Sequence, residues 1–108
     1  MTNLKKAQNA VREVENKYAS FKRVSWNTIY TSEDAIIEDL RKIYVPEGKE
    51  CSSAWYSLYN GYEFIHSFAR RVQNGGTLSD SQMRQAKRLA KEIKKAAAIG
   101  EAIENDLL

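Results

Sequence analysis

Five cations, Arg84, Lys87, Arg88, Lys91 and Lys95, recur at helical spacing within twelve residues. At 100° per residue they share one side of a helix, with Lys94 at the edge and Glu92 off it. Ala86, Leu89, Ile93, Ala96 and Ala97 take the opposite side. Such a row of cations can follow a phosphate backbone, whose charge dominates nucleic-acid affinity. Tyr56, Tyr59 and Arg70, in the preceding helical segment, offer ring and guanidinium faces on which bases stack. These eight residues are the expected nucleic-acid contacts. The plainer explanation of the row is a solvated helix face, because the net charge is only +3. In addition, residues 24–50 carry six acidic and three basic residues, enough to neutralise part of a basic neighbour inside the fold.

Other chemistries find little footing. Cys51 and His66 are the only cysteine and histidine, and neither belongs to a cluster with zinc spacing, so no metal site is expected. Nucleophilic catalysis by Cys51 and His66 would need an orienting third group and an oxyanion hole, and the sequence names neither. His66 reads as a hydrogen-bonded structural histidine. The turn Asn74-Gly75-Gly76-Thr77 is too short for a P-loop and follows a helix rather than a strand. Paired carboxylates stand at helix ends, where the helix dipole accounts for them. The expectation is a non-enzyme without a cofactor.

The elements that must position the cations form a helical hairpin. Trp55, Leu58, Tyr62, Ile65, Ala69 and Val72 alternate three and four apart, which predicts one apolar-striped helix over 52–73. Phe64 points away from that stripe. Gly61 sits close to the stripe and suggests close approach of another helix there. Gly75-Gly76 should end this arm, since glycine accepts the left-handed C-cap. Ser79 and Gln82 fit a capping box opening a second helix over 79–99, with Leu78 placed to staple onto Met83. The short turn favours an antiparallel pair, 52–73 against 79–99, with the Trp55 helix central to the domain.

Within this hairpin, Phe64-Ile65-His66-Ser67-Phe68, Gln73-Asn74-Gly75-Gly76-Thr77-Leu78-Ser79-Asp80-Ser81-Gln82 and Ala86-Lys87-Arg88 together resemble a helical hairpin of bacteriophage proteins. It occurs in small or C-terminal modules, some attached to DNA-handling enzymes. The resemblance covers residues 64–88 and implies a role near DNA replication, recombination or repair, in the host cytoplasm if the chain is phage-encoded. It implies no catalytic residues.

The remaining chain completes an all-α expectation of about four helices in a single compact domain, 1–108. Leu4, Ala7, Val11, Val14, Tyr18 and Phe21 stripe a first helix over 3–23, capped by Thr2 or Asn3. That stripe packs inside its own domain or, alternatively, builds a homodimer through residues 4–21. Residues 24–31 fit neither helical nor strand period and read as an ordered connection or helical turn anchored by Trp26. Ser32 caps a helix with Glu33 and Asp34 in its first turn and Arg41 and Lys42 in its last, stopped by Pro46 and Gly48. Ile99, Ile103 and Leu107 recur four apart, which either continues the last helix past Gly100 or leaves a frayed end. No apolar run is long enough to span a membrane, no signal peptide is evident, and one cysteine forms no internal disulfide, so a cytoplasmic location is expected. The leading functional expectation is a small non-enzymatic nucleic-acid-associated accessory protein. Its alternative is a protein-interaction module, or modulator of a host or viral machine, with no nucleic-acid binding.

Overall fold

Local capping chemistry sets the first helices where the sequence places them. The computed structural model describes residues 2–18, 25–46 and 53–106. Among these residues the chain forms α1 (Asn3–Lys17), α2 (Trp26–Ile29), α3 (Glu33–Lys42), α4 (Ser53–Tyr56), α5 (Tyr62–Gln73), α6 (Asp80–Arg88) and α7 (Ala90–Asp106), with no strand. The Thr2 side chain accepts from Lys5 N–H and opens α1, and Ser32 accepts from Ala35 N–H and opens α3. Ser79 and Gln82 form the full reciprocal capping box at α6. Gly75 takes φ +87°, and Gly76 N–H donates to Arg71 O while Gly75 N–H donates to Val72 O. That is the paired bonding of a Schellman stop, so α5 ends at the predicted glycines.

The all-α expectation holds, but the described residues form seven helices rather than about four. The arm expected over 52–73 is interrupted at Ser57–Gly61, because Gly61 adopts φ +73° and caps α5 from the left-handed region. A Cβ at Gly61 would meet Leu89 Cδ1 at 2.9 Å, so the close approach expected there is real, but it occurs at a turn. The arm expected over 79–99 is interrupted at Leu89. Its N–H is shared between Gln85 O and Ala86 O, while Leu89 O still accepts from Ile93 N–H at 2.8 Å. The antiparallel pair expected of 52–73 and 79–99 is corrected accordingly: α5 and α6 are joined by the glycine turn, but both pack on α3 rather than chiefly on each other. Residues 19–23 of the first expected helix, Gly48, Cys51, Ser52 and Leu107 lie outside the described residues.

The centre of the fold is α7, not the helix that carries Trp55. It packs most extensively against α1, next against α3, and also touches α2 and α6, whereas α5 packs on α3. Ala90, Ile93, Ala96, Ala97, Ile99 and Ile103 of α7 are buried, and the small residues among them let neighbours come close. Gly100 is the extreme case. A Cβ there would lie 3.0 Å from Lys42 C and 3.4 Å from Tyr44 N, with the Lys42 carbonyl oxygen nearer still. The helix continues through this crossing to Asp106.

Ile36, Leu40, Ile65, Ile93 and Ile99 are the largest fully buried side chains. Each such burial stabilises the fold by about 1.5–3 kcal/mol relative to exposure. The α1 stripe of Ala7, Ala10, Val11, Val14 and Tyr18 is buried as well, with α7 as its main neighbour. Of the seam considered for a homodimer through residues 4–21, Ala7, Val11, Val14 and Tyr18 are buried within the fold, and Phe21 lies outside the described residues. Trp26 sits in the single turn of α2, half-buried against the core, as the ordered connection required.

One contact has no local signal. Gln73, at the end of α5, donates its side-chain amide to Leu40 O at 3.2 Å, Arg41 O at 3.4 Å and Ile43 O at 3.0 Å. The last turn of α3 leaves carbonyls without intrahelical partners, and Gln73 serves them from another helix.

Candidate interaction surface on the helical hairpin

The helix arrangement divides the basic row. Lys87 lies 2.9 Å from Glu33 of α3 and places Nζ 4.7 Å from the Trp26 ring centroid. Lys94 lies 3.3 Å from Asp39 of α3 and 5.3 Å from the Tyr30 ring centroid. Asp39 is itself buried, and it also faces Lys42 at 3.8 Å. Burial, followed by the Asp39 charge, pushes the Tyr30 phenol well above its usual pKa. The acidic third helix therefore neutralises Lys87 and Lys94 inside the fold.

Lys95 is largely removed from solvent. It is 7% exposed and lies 3.0 Å from Glu15 of α1 and 3.2 Å from Glu92. Burial works against its charge, but the Glu15 hydrogen bond and the neighbouring Glu92 outweigh that and raise its pKa. The spacing arithmetic put Lys95 on the basic face correctly for a straight helix, but α1 covers that part of α7. Arg84 and Arg88 are exposed and Lys91 is half-exposed, and none of the three has an ion pair among the described residues. Five aligned cations thus reduce to three open ones.

The expected stacking residues also separate. Tyr56 is 48% exposed and lies 4.5 Å, centroid to centroid, from Tyr62. Tyr59 is buried, so no base can stack on it. Its hydroxyl is hydrogen-bonded to Nε2 of His66, and its ring stacks on Tyr62 at 5.3 Å. His66 is buried too, with its ring 3.7 Å from the Tyr62 ring. Burial, and then the Arg70 charge, hold the His66 imidazole down to about 4. It is a neutral hydrogen-bond partner of Tyr59, the structural role expected of it. Arg70 is exposed on the same helix.

What the hairpin does present is an open groove. It has a volume of about 430 Å³ and is lined by Phe64, Ser67 and Phe68 of α5 and by Ser81, Gln82 and Gln85 of α6. Phe64 is 57% exposed, the most exposed large hydrophobic side chain among the described residues. Phe68 beneath it is buried. Gln82 closes the capping box, while the side chains of Ser67, Ser81 and Gln85 have no hydrogen-bond partner among the described residues. At the closed end, Arg71 Nε donates to Thr77 O and ties α5 to the turn. At the other end, Leu89 sits over Gly61. The displacement of Phe64 from the apolar stripe was the sequence signal for this surface. The groove needed the spacing between two helices, which no local pattern encodes.

No helix among the described residues is long and apolar enough to cross a membrane. Comparison with known proteins returns no match: no family model fits the chain, and neither a curated protein nor a solved structure resembles it.

Proposed function

We propose that this domain is a non-enzymatic protein-interaction module whose binding surface is the α5/α6 hairpin. The observation that carries this reading is the contrast between the two candidate surfaces. Lys87, Lys94 and Lys95 are neutralised by carboxylates of the same chain, whereas Phe64 stands exposed beside an open groove. An exposed aromatic beside a concave surface is an arrangement that partner side chains use as an anchor. The test is Phe64→Ser, which leaves the core stripe of α5 untouched. The wild type should retain a partner protein from nuclease-treated extract of cells that express the chain, and the variant should lose it with unchanged circular dichroism. Equal retention by both proteins would defeat the reading.

A second reading keeps the nucleic-acid role and the phage-type resemblance of residues 64–88. Arg84, Arg88 and Lys91 favour it, because they have no ion pair among the described residues. Three phosphate contacts give a salt dependence of roughly −2.7 in log K against log salt on duplex DNA. Replacing Arg88 and Lys91 together by Gln should reduce that slope by about two contacts. If the wild type binds neither single- nor double-stranded DNA at low salt, the nucleic-acid role is excluded.

A further inference from the structure

The charges around the groove are arranged unequally. On α6, Ser81, Gln82 and Gln85 face the groove. At 100° per residue, Arg88 continues the Ser81–Gln85 row, one turn beyond Gln85. Lys87 and Asp80 point to the far side of α6, and Lys87 meets Glu33 there. On α5, Arg71 continues the Phe64–Phe68 row, and Glu63 lies one turn before Ser67 on the same flank of the helix. The groove-facing rows thus carry two cations, Arg71 and Arg88, against one carboxylate, Glu63, with Arg84 adding a cation on the flank. Glu33 and Asp39 of α3 lie against Lys87 and Lys94, and neither lines this opening.

Resting on the interaction reading, we infer that the groove takes an acidic peptide segment carrying one aromatic or branched aliphatic anchor. The anchor packs beside Phe64 above the buried ring of Phe68. The hydroxyls of Ser67 and Ser81 and the Gln85 amide bond the peptide's polar groups. A carboxylate of the peptide meets Arg88 at the open end, with Arg84 on the flank. A second copy of this chain fits the groove poorly, because paired grooves would bring Arg88 and Arg84 of both copies together on a surface that is already basic.

The experiment selects a displayed library of random dodecapeptides on the folded full chain and measures the enriched peptides by fluorescence anisotropy. Enriched sequences should carry net negative charge and at least one Phe, Trp, Leu or Ile. Their affinity should fall at least tenfold with Phe64→Ser and with Arg88→Glu, and should be unchanged with Lys5→Glu on exposed α1. Changing the peptide's acidic residues to Lys should restore binding to Arg88→Glu, a reversal that a merely structural role for Arg88 does not produce. Circular dichroism confirms the fold of each variant. Neutral or basic enriched peptides, or indifference to Arg88→Glu, overturn the inference and leave the interaction reading standing. A micromolar dimer in sedimentation that disappears with Phe64→Ser assigns the groove to a second copy and also overturns it. No enrichment at all sinks both the inference and the interaction reading, and binding of a DNA duplex in that case favours the three open cations.

Discussion

Replacing Gly100 by Ala should destabilise the protein, although helix propensity alone gives the opposite sign. Gly100 lies inside α7, and an exposed helical Gly→Ala change stabilises by about 1 kcal/mol. Here the new methyl would meet the backbone of Lys42 and Tyr44, at 3.0 Å from Lys42 C and closer to its carbonyl oxygen. Backbone cannot swing aside as a flexible side chain can. The end of α3 must move, and it is fixed by buried Ile43 and by the Gln73 amide on the Leu40, Arg41 and Ile43 carbonyls. Overpacking of this kind costs about 1–3 kcal/mol. Losing one of the Gln73 bonds adds about 1 kcal/mol. Set against the propensity gain, the net loss comes to about 2 kcal/mol, taking mid-range values. At about 4 °C per kcal/mol for a chain of this size, the melting temperature should drop by about 8 °C. Thermal unfolding followed at 222 nm reads this directly. A melting temperature that stays level or rises would refute the crossing of α7 over the end of α3, and with it the central position of α7.

Four further outcomes are expected. Lys95→Met should destabilise by about 2–3 kcal/mol, because Glu92 is left largely buried without its cation and Glu15 remains partly solvated. Exposed Arg88→Gln should change stability by less than about 0.5 kcal/mol, and equal urea midpoints for the two variants would contradict the division of the basic row. Gln73→Ala should cost about 1–2 kcal/mol by uncapping the end of α3, with the far-ultraviolet spectrum little changed and the urea midpoint lowered. His66 should titrate at about 4 by NMR. Its folded pKa lies below its unfolded value of about 6.5, so the unfolded state binds the extra proton and stability falls as pH drops from 6.5 toward 4. The contribution lost is up to about 3 kcal/mol, measured as the excess acid sensitivity of wild type over His66→Gln. An imidazole that titrates near 6.5 would show that His66 is solvated.

The sequence alone determined what depends on residues within about four positions of one another. Thr2, Ser32 and the Ser79–Gln82 pair open helices, and Gly75 closes one, because a cap is a bond between near neighbours. The α5 stripe was legible for the same reason, as was the outward position of Phe64. Tertiary structure decided which helix became central and which charges remained open. Lys94 meets Asp39 and Lys95 meets Glu15 across separations of 55 and 80 residues. The alanines of α7 read in sequence as good helix formers, and only the folded chain makes them a surface on which α1 and α3 converge. Gly61 read as a contact residue but also turns the chain, with φ +73° and Leu89 packed where a Cβ would stand. A cation row is a property of one helix, whereas its availability depends on the helices packed beside it. Packing brings α1 onto Lys95 and α3 onto Lys87 and Lys94, and it leaves the gap between α5 and α6 open.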